Sequence, residues 1–62
     1  MAPEDFRAAL TRLGVTMLAL GRALEANERT VRRWGTGELP VPRSVELLLG
    51  LMLRFGLTLD DL

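Results

Sequence analysis

Three arginines stand within five residues of one another in the segment Asn27-Glu28-Arg29-Thr30-Val31-Arg32-Arg33-Trp34. Guanidinium groups so clustered suit one kind of chemistry, the forked hydrogen bonding of phosphate oxygens and of the guanine edge, which a lysine cannot reproduce. Glu28 adds a carboxylate able to accept from a cytosine amine in the same groove. At about 100° per residue, Glu28, Arg29, Arg32, Arg33 and Thr36 fall on one side of a helix, and Val31 and Trp34 fall on the other. Such a helix is held by its apolar side and offers its basic side to a DNA groove.

Covalent chemistry has little to work with. The chain has no Cys, His, Lys or Tyr, which excludes disulfide frameworks, thiolate zinc sites and Cys/His nucleophile pairs. Gly35-Thr36-Gly37 lacks the neighbouring Lys and the preceding strand of a phosphate-cradling loop. The expectation is a non-enzyme with no cofactor, no metal and no small-molecule ligand.

Eight basic residues balance eight acidic ones, so the net charge is zero. The distribution is uneven. From Arg7 to Arg33, six arginines oppose only Glu25 and Glu28, a local balance of +4. Glu4, Asp5, Glu38, Glu46, Asp60 and Asp61 compensate in the flanks, where the cations are Arg43 and Arg54. A charge concentrated in this way fits a polyanionic partner better than the total suggests.

The elements that must position these residues follow from the punctuation. The 62 residues make one domain, near the lower size limit for a core without disulfides or metal. Pro3, Glu4 and Asp5 open a first helix whose stripe is Phe6, Leu10 and Leu13, and Gly14 closes it. Thr16 caps a second helix reaching Leu24, with Leu20 and Leu24 at i, i+4 spacing. Glu25-Ala26-Asn27 is short enough to hold the neighbouring helices at a steep angle. A third helix covers Glu28 to Trp34, ended by Gly35-Thr36-Gly37. Leu39-Pro40-Val41-Pro42 is extended, because proline restricts the residue before it. A fourth helix runs from Pro42 or Arg43 to Phe55, closed by Gly56. Beyond it, Thr58 caps one more turn, or Leu57-Thr58-Leu59 forms a short strand; the pattern allows either. The longest apolar run, Leu47 to Leu53, is interrupted by Gly50 and is too short to span a bilayer. With no charged segment and apolar stretch opening the chain, a cytoplasmic protein is expected.

Thr16, Leu20, Gly21, Leu24, Asn27, Thr30, Val31, Trp34 and Gly37 fall at the spacing of the Cro/C1-type helix-turn-helix, and over residues 4 to 55 the chain resembles this lambda-repressor-like (XRE) family. The resemblance implies an all-α fold, a compact bundle of four to five short helices. Its helix-turn-helix lies over residues 16–36 and its Leu-rich dimerisation helix over 43–56. In this family the third helix enters the major groove, the second crosses the backbone, and two-fold dimers read palindromic half-sites about one helical turn apart. Carried over by position, Glu28, Arg29 and Arg33 are the expected base readers. Thr16, Asn27, Arg32, Thr36 and Arg43 are the expected backbone contacts. Gly21 occupies the small-residue position where the two helices approach most closely. Two residues depart from the pattern: Glu25 stands where the turn usually has Gly, and Met17 stands where a phosphate-binding Gln usually opens the second helix.

The last helix is apolar on nearly all sides, more than one core-facing stripe requires. Part of that surface is therefore expected to meet a partner. The resemblance implies a homodimer through this helix and the tail, with Leu48, Leu51, Met52, Phe55, Leu57 and Leu59 at the interface.

The functional expectation is a sequence-specific transcriptional regulator. It would be a dimeric autorepressor binding an inverted-repeat operator in double-stranded DNA, of the kind small members of this family provide in phages and mobile elements, anti-CRISPR-associated regulators among them. The competing expectation is a protein-interaction module on the same scaffold, an antitoxin or anti-CRISPR-like inhibitor. Zero net charge, Glu25 and Met17 lean toward it.

Overall fold

Local capping chemistry sets the limits of each helix. The computed structural model describes all 62 residues and contains helices α1 (Pro3–Leu13), α2 (Met17–Ala23), α3 (Glu28–Thr36) and α4 (Arg43–Phe55), then a single 3-10 turn over Leu59–Asp61. There is no strand, so the fold is all-α as expected. The Thr16 hydroxyl accepts from the Ala19 N–H at 3.0 Å, and Asn27 Oδ1 accepts from the Arg29 N–H at 2.8 Å. Each bond satisfies one of the donors that a helix start leaves without a partner. In the tail, the Thr58 N–H donates to Asp61 Oδ2 at 2.7 Å, closing a turn rather than a strand.

Two boundaries differ from expectation. α2 ends at Ala23 because Leu24 already has the geometry of a C-cap, with φ −91° and ψ 0°. α3 continues past Trp34 through Gly35 and Thr36. Gly35 does not break the helix because it is buried against α2. A Cβ built on it would lie 2.5 Å from Met17 Cε, so the absent side chain makes room for the methionine. Met17, unlike the glutamine expected at that place, is a packing residue.

The core draws on all four helices. Phe6, Ala9 and Leu10 from α1 meet Leu20 from α2, Val31 and Trp34 from α3, and Val45, Leu49 and Met52 from α4. Trp34 packs edge-on against Phe6, with ring centres 6.1 Å apart and planes at 90°, a favourable arrangement of their quadrupoles. Between α2 and α3, a Cβ on Gly21 would sit 3.0 Å from the Ala26 carbonyl oxygen and 3.5 Å from Val31 Cγ2. The close approach expected at Gly21 is present, and it lets the helices meet at the angle that turns α3 outward.

The turn between them keeps its shape without glycine. Glu25 has φ 55°, the only non-glycine residue in the left-handed region. The Ala26 N–H donates to the Gly21 carbonyl at 2.8 Å across it, closing α2 in the manner of a Schellman cap.

α4 is divided. Val45, Leu49 and Met52 face inward, while Leu47, Leu51 and Phe55 form an i, i+4, i+8 stripe that is 52%, 49% and 62% exposed. Met52, expected at a dimer interface, is instead wholly enclosed in the monomer core at 0% exposure. Leu48, Leu57 and Leu59 are half-buried and pack against that core, so Leu51 and Phe55 alone of the expected interface stand free, joined by Leu47. No helix is long and apolar enough to cross a membrane.

Candidate nucleic-acid interface

α3 is positioned from behind. Val31 and Trp34 anchor it in the core, and Arg7 of α1 donates through Nη1 to the Gly35 carbonyl near its end. That leaves Arg29, Arg32 and Thr36 exposed and Glu28 and Arg33 half-exposed on the outer face, as the helical wheel requires.

The outer face is less cationic than its arginines imply. Arg32 Nη2 lies 3.3 Å from Glu28 Oε2, an i, i+4 pair, and Arg33 Nε lies 3.5 Å from Glu38 Oε1 in the loop beyond. Arg29 makes no ion pair. Three cations and two carboxylates leave a local balance of +1.

Two concavities flank the helix. A groove of about 500 Å³ runs between the start of α2 and α3, and Thr16, Glu28, Arg32 and Thr36 share it with Met17 and Leu18. A second, of about 250 Å³, is lined only by Arg29, Arg32, Arg33, Thr36 and Glu38. Seven of the eight residues expected to meet DNA thus belong to α3, its cap or the start of α2. Arg43 stands apart. It pairs with Glu46 Oε1 at 3.1 Å on the first turn of α4 and shares a concavity with Leu47 and Leu51. The Met1 ammonium also reaches Glu46, at 3.0 Å. Its hydrogen bond chiefly, with the charge of Arg43 adding to it, holds the Glu46 carboxyl below the usual carboxylate range.

Some expected contact groups are already engaged. Thr16 and Asn27 use an acceptor oxygen for capping but keep donors free, the hydroxyl proton and the side-chain amide. Thr36 donates its only hydroxyl proton to the Arg33 carbonyl at 3.2 Å and accepts from the Glu38 N–H at 3.4 Å. In this arrangement a phosphate finds no free donor on Thr36.

Three residues at or behind this face were not expected there: Arg7, Leu18 and Glu38. Arg7 is 28 residues distant from its carbonyl partner, and nothing local announces that contact. Leu18 had a readable signal, an apolar residue on the first turn of a helix whose stripe is Leu20 and Leu24; it is 42% exposed beside α3.

The arrangement can do two things. It can present forked donors from a rigid helix and accept from a base amine at Glu28. The starts of α2 and α3 line one groove, at Thr16, Met17 and Leu18 and at Glu28. Scanned against protein-family models, curated proteins and solved structures, the chain matches none of them.

Proposed function

We propose that this chain is a sequence-specific DNA-binding regulator acting in the cytoplasm, a dimeric repressor that inserts α3 into the major groove of an inverted-repeat operator. The observation that carries this reading is the division of α3. Arg29, Arg32, Arg33 and Glu28 face outward together, while Val31, Trp34 and the Arg7 contact hold the helix rigidly from behind. In this reading Arg29 and Arg33 pair with guanines and Glu28 accepts from a cytosine. Arg32, Thr16 and Asn27 set register on the backbone.

The dimer is proposed through the outer stripe of α4. Leu47, Leu51 and Phe55 lie along one line, so a two-fold axis through Leu51 sets the same three residues of a second copy against them. Arg54 sits over the Phe55 ring at 5.3 Å and would rim such a contact.

The test is binding of purified protein to duplex DNA carrying candidate inverted repeats, followed across salt. The reading requires affinity that falls steeply with salt as condensed counterions are released, and loss of sequence preference in Arg29→Ala. Binding to no duplex, or unchanged preference in the variant, would overturn it.

A second reading is favoured by two observations. The α4 stripe is apolar and about half exposed, and two of the three α3 arginines are paired with Glu28 and Glu38. A protein-interaction module, such as an antitoxin or an anti-CRISPR-like inhibitor, would use the stripe to dock on a larger protein. Its binding would be insensitive to salt and to Arg29→Ala.

A further inference from the structure

The loop after α3 is built to return. Gly37 has φ +84°, and a Cβ there would lie 2.9 Å from Pro3 Cγ, so both the conformation and the space require glycine. The Leu39 N–H then reaches back to the Arg33 carbonyl at 3.2 Å, and the Glu38 N–H reaches the Thr36 hydroxyl at 3.4 Å. These backbone bonds, not the side-chain ion pair, decide where residue 38 stands. An exposed ion pair is too weak to hold a loop by itself.

Held there, Glu38 projects the only carboxylate into the concavity that Arg29, Arg32, Arg33 and Thr36 line, with Oε1 3.5 Å from Arg33 Nε. Three guanidiniums around so small a space make a site for an oxyanion. The protein places an oxyanion of its own in it.

We propose that Glu38 is a resident counterion in this concavity, standing where a DNA phosphate would stand, and that it limits how tightly α3 binds duplex irrespective of sequence. Any backbone phosphate approaching Arg33 must displace the carboxylate or meet its repulsion. A guanine edge, which carries no net charge, meets far less of that repulsion. Glu38 is therefore a specificity-determining residue that does not read a base. The inference rests on the DNA-binding reading given above.

The experiment is fluorescence anisotropy of a labelled duplex of arbitrary sequence, titrated with wild type, Glu38→Gln and Asp5→Asn over a range of salt. Asp5→Asn removes the same charge from the first turn of α1, which does not line the concavity, and so controls for net charge. Glu38→Gln is expected to bind about five- to tenfold tighter near 0.1 M salt, with the log–log salt slope steeper by about 0.9, one further phosphate contact. Asp5→Asn is expected to change affinity less than twofold; Glu38→Gln should melt like wild type, and Asp5→Asn slightly lower, for the lost acid at the start of α1. Equal affinities for Glu38→Gln and wild type overturn the inference while leaving DNA binding intact. An equal gain from Asp5→Asn overturns it as well, reducing the effect to net charge. Failure of wild type and both variants to bind any duplex at low salt overturns the DNA reading itself.

Discussion

α3 and α4 are supported by the same core and turn opposite kinds of surface to solvent. α3 buries Val31 and Trp34 and shows Arg29, Arg32 and Arg33, whereas α4 buries Val45, Leu49 and Met52 and shows Leu47, Leu51 and Phe55. The charged face is partly satisfied within the monomer by Glu28 and Glu38. The apolar face is about half exposed, with the Arg54 guanidinium over the Phe55 ring. A charged side chain exposed to water costs little, so its exposure is weak reason to expect a partner. Three large apolar residues aligned on one helix, in a protein of this size, are a stronger reason. In the proposed reading, α3 speaks to the chemistry of the partner and α4 to the need for one.

The largest effect is expected where the two faces share support. Trp34→Ala removes the ring that packs on Phe6 and empties the space between α1 and α3, costing about 3–5 kcal/mol. A domain this small has little stability to lose. Circular dichroism should show most of the helix signal gone at physiological temperature. A folded variant with wild-type melting would mean that α3 is held by something other than this core.

Next come the arginines, whose loss should leave the fold alone. Arg29→Ala and Arg33→Ala are each expected to weaken operator binding by about 1–3 kcal/mol without shifting the melt. They should not be equal. Arg33→Ala leaves Glu38 unpaired and facing the phosphates, so it should be the more damaging, and adding Glu38→Gln should restore part of the loss. Anisotropy on the two single variants and the double variant forms a cycle that measures the coupling. Additive losses would separate Glu38 from Arg33 and remove the carboxylate from the account of this face.

On α4 the contrast between inner and outer residues becomes a test of the proposed dimer. Leu51→Asp and Phe55→Asp place a charge on the outer stripe, outside the buried core. Both should stay folded and raise the dimer dissociation constant at least tenfold, about 1.4 kcal/mol. Sedimentation velocity across concentration reads this directly. Native-size dimers from either variant would remove the stripe from the interface and favour a different use for it.

Much of this was legible in the sequence, and the limits of legibility are physical. Thr16, Asn27, Gly14, Gly37 and Gly56 marked helix limits because capping is local chemistry, decided within a few residues. The outer face of α3 was legible because its charged and apolar residues separate on the wheel. α4 offered no such separation. With leucines on nearly every side, its wheel did not say which stripe faced inward, so Met52 was placed outside and Leu47 was passed over. Gly35 looked like a helix end because the methyl of Met17 packed against it, eighteen positions earlier, is invisible to local pattern. Glu38 was missed for a related reason. Its approach to Arg33 depends on the return at Gly37, not on any helical spacing.

The smallest effect should come from the turn that aims α3. α4 leaves the core through Gly56 at φ 64°, a residue suited to that conformation, but α3 is entered through Glu25 at φ 55°. A left-handed conformation costs a residue with a Cβ roughly 1–2 kcal/mol. Glycine would remove that strain but add flexibility to the unfolded chain worth about 0.4–1 kcal/mol in the opposite direction. Glu25→Gly should therefore stabilise the domain by up to about 1 kcal/mol, which in a protein of this length moves the melting midpoint by about 4–8 °C at most. Glu25→Ala keeps the Cβ and removes the same charge, so the difference between the two variants isolates the backbone term. If Glu25→Gly melts below Glu25→Ala, the turn is unstrained, and the angle at which α3 meets its partner is set by Gly21 and Val31 alone.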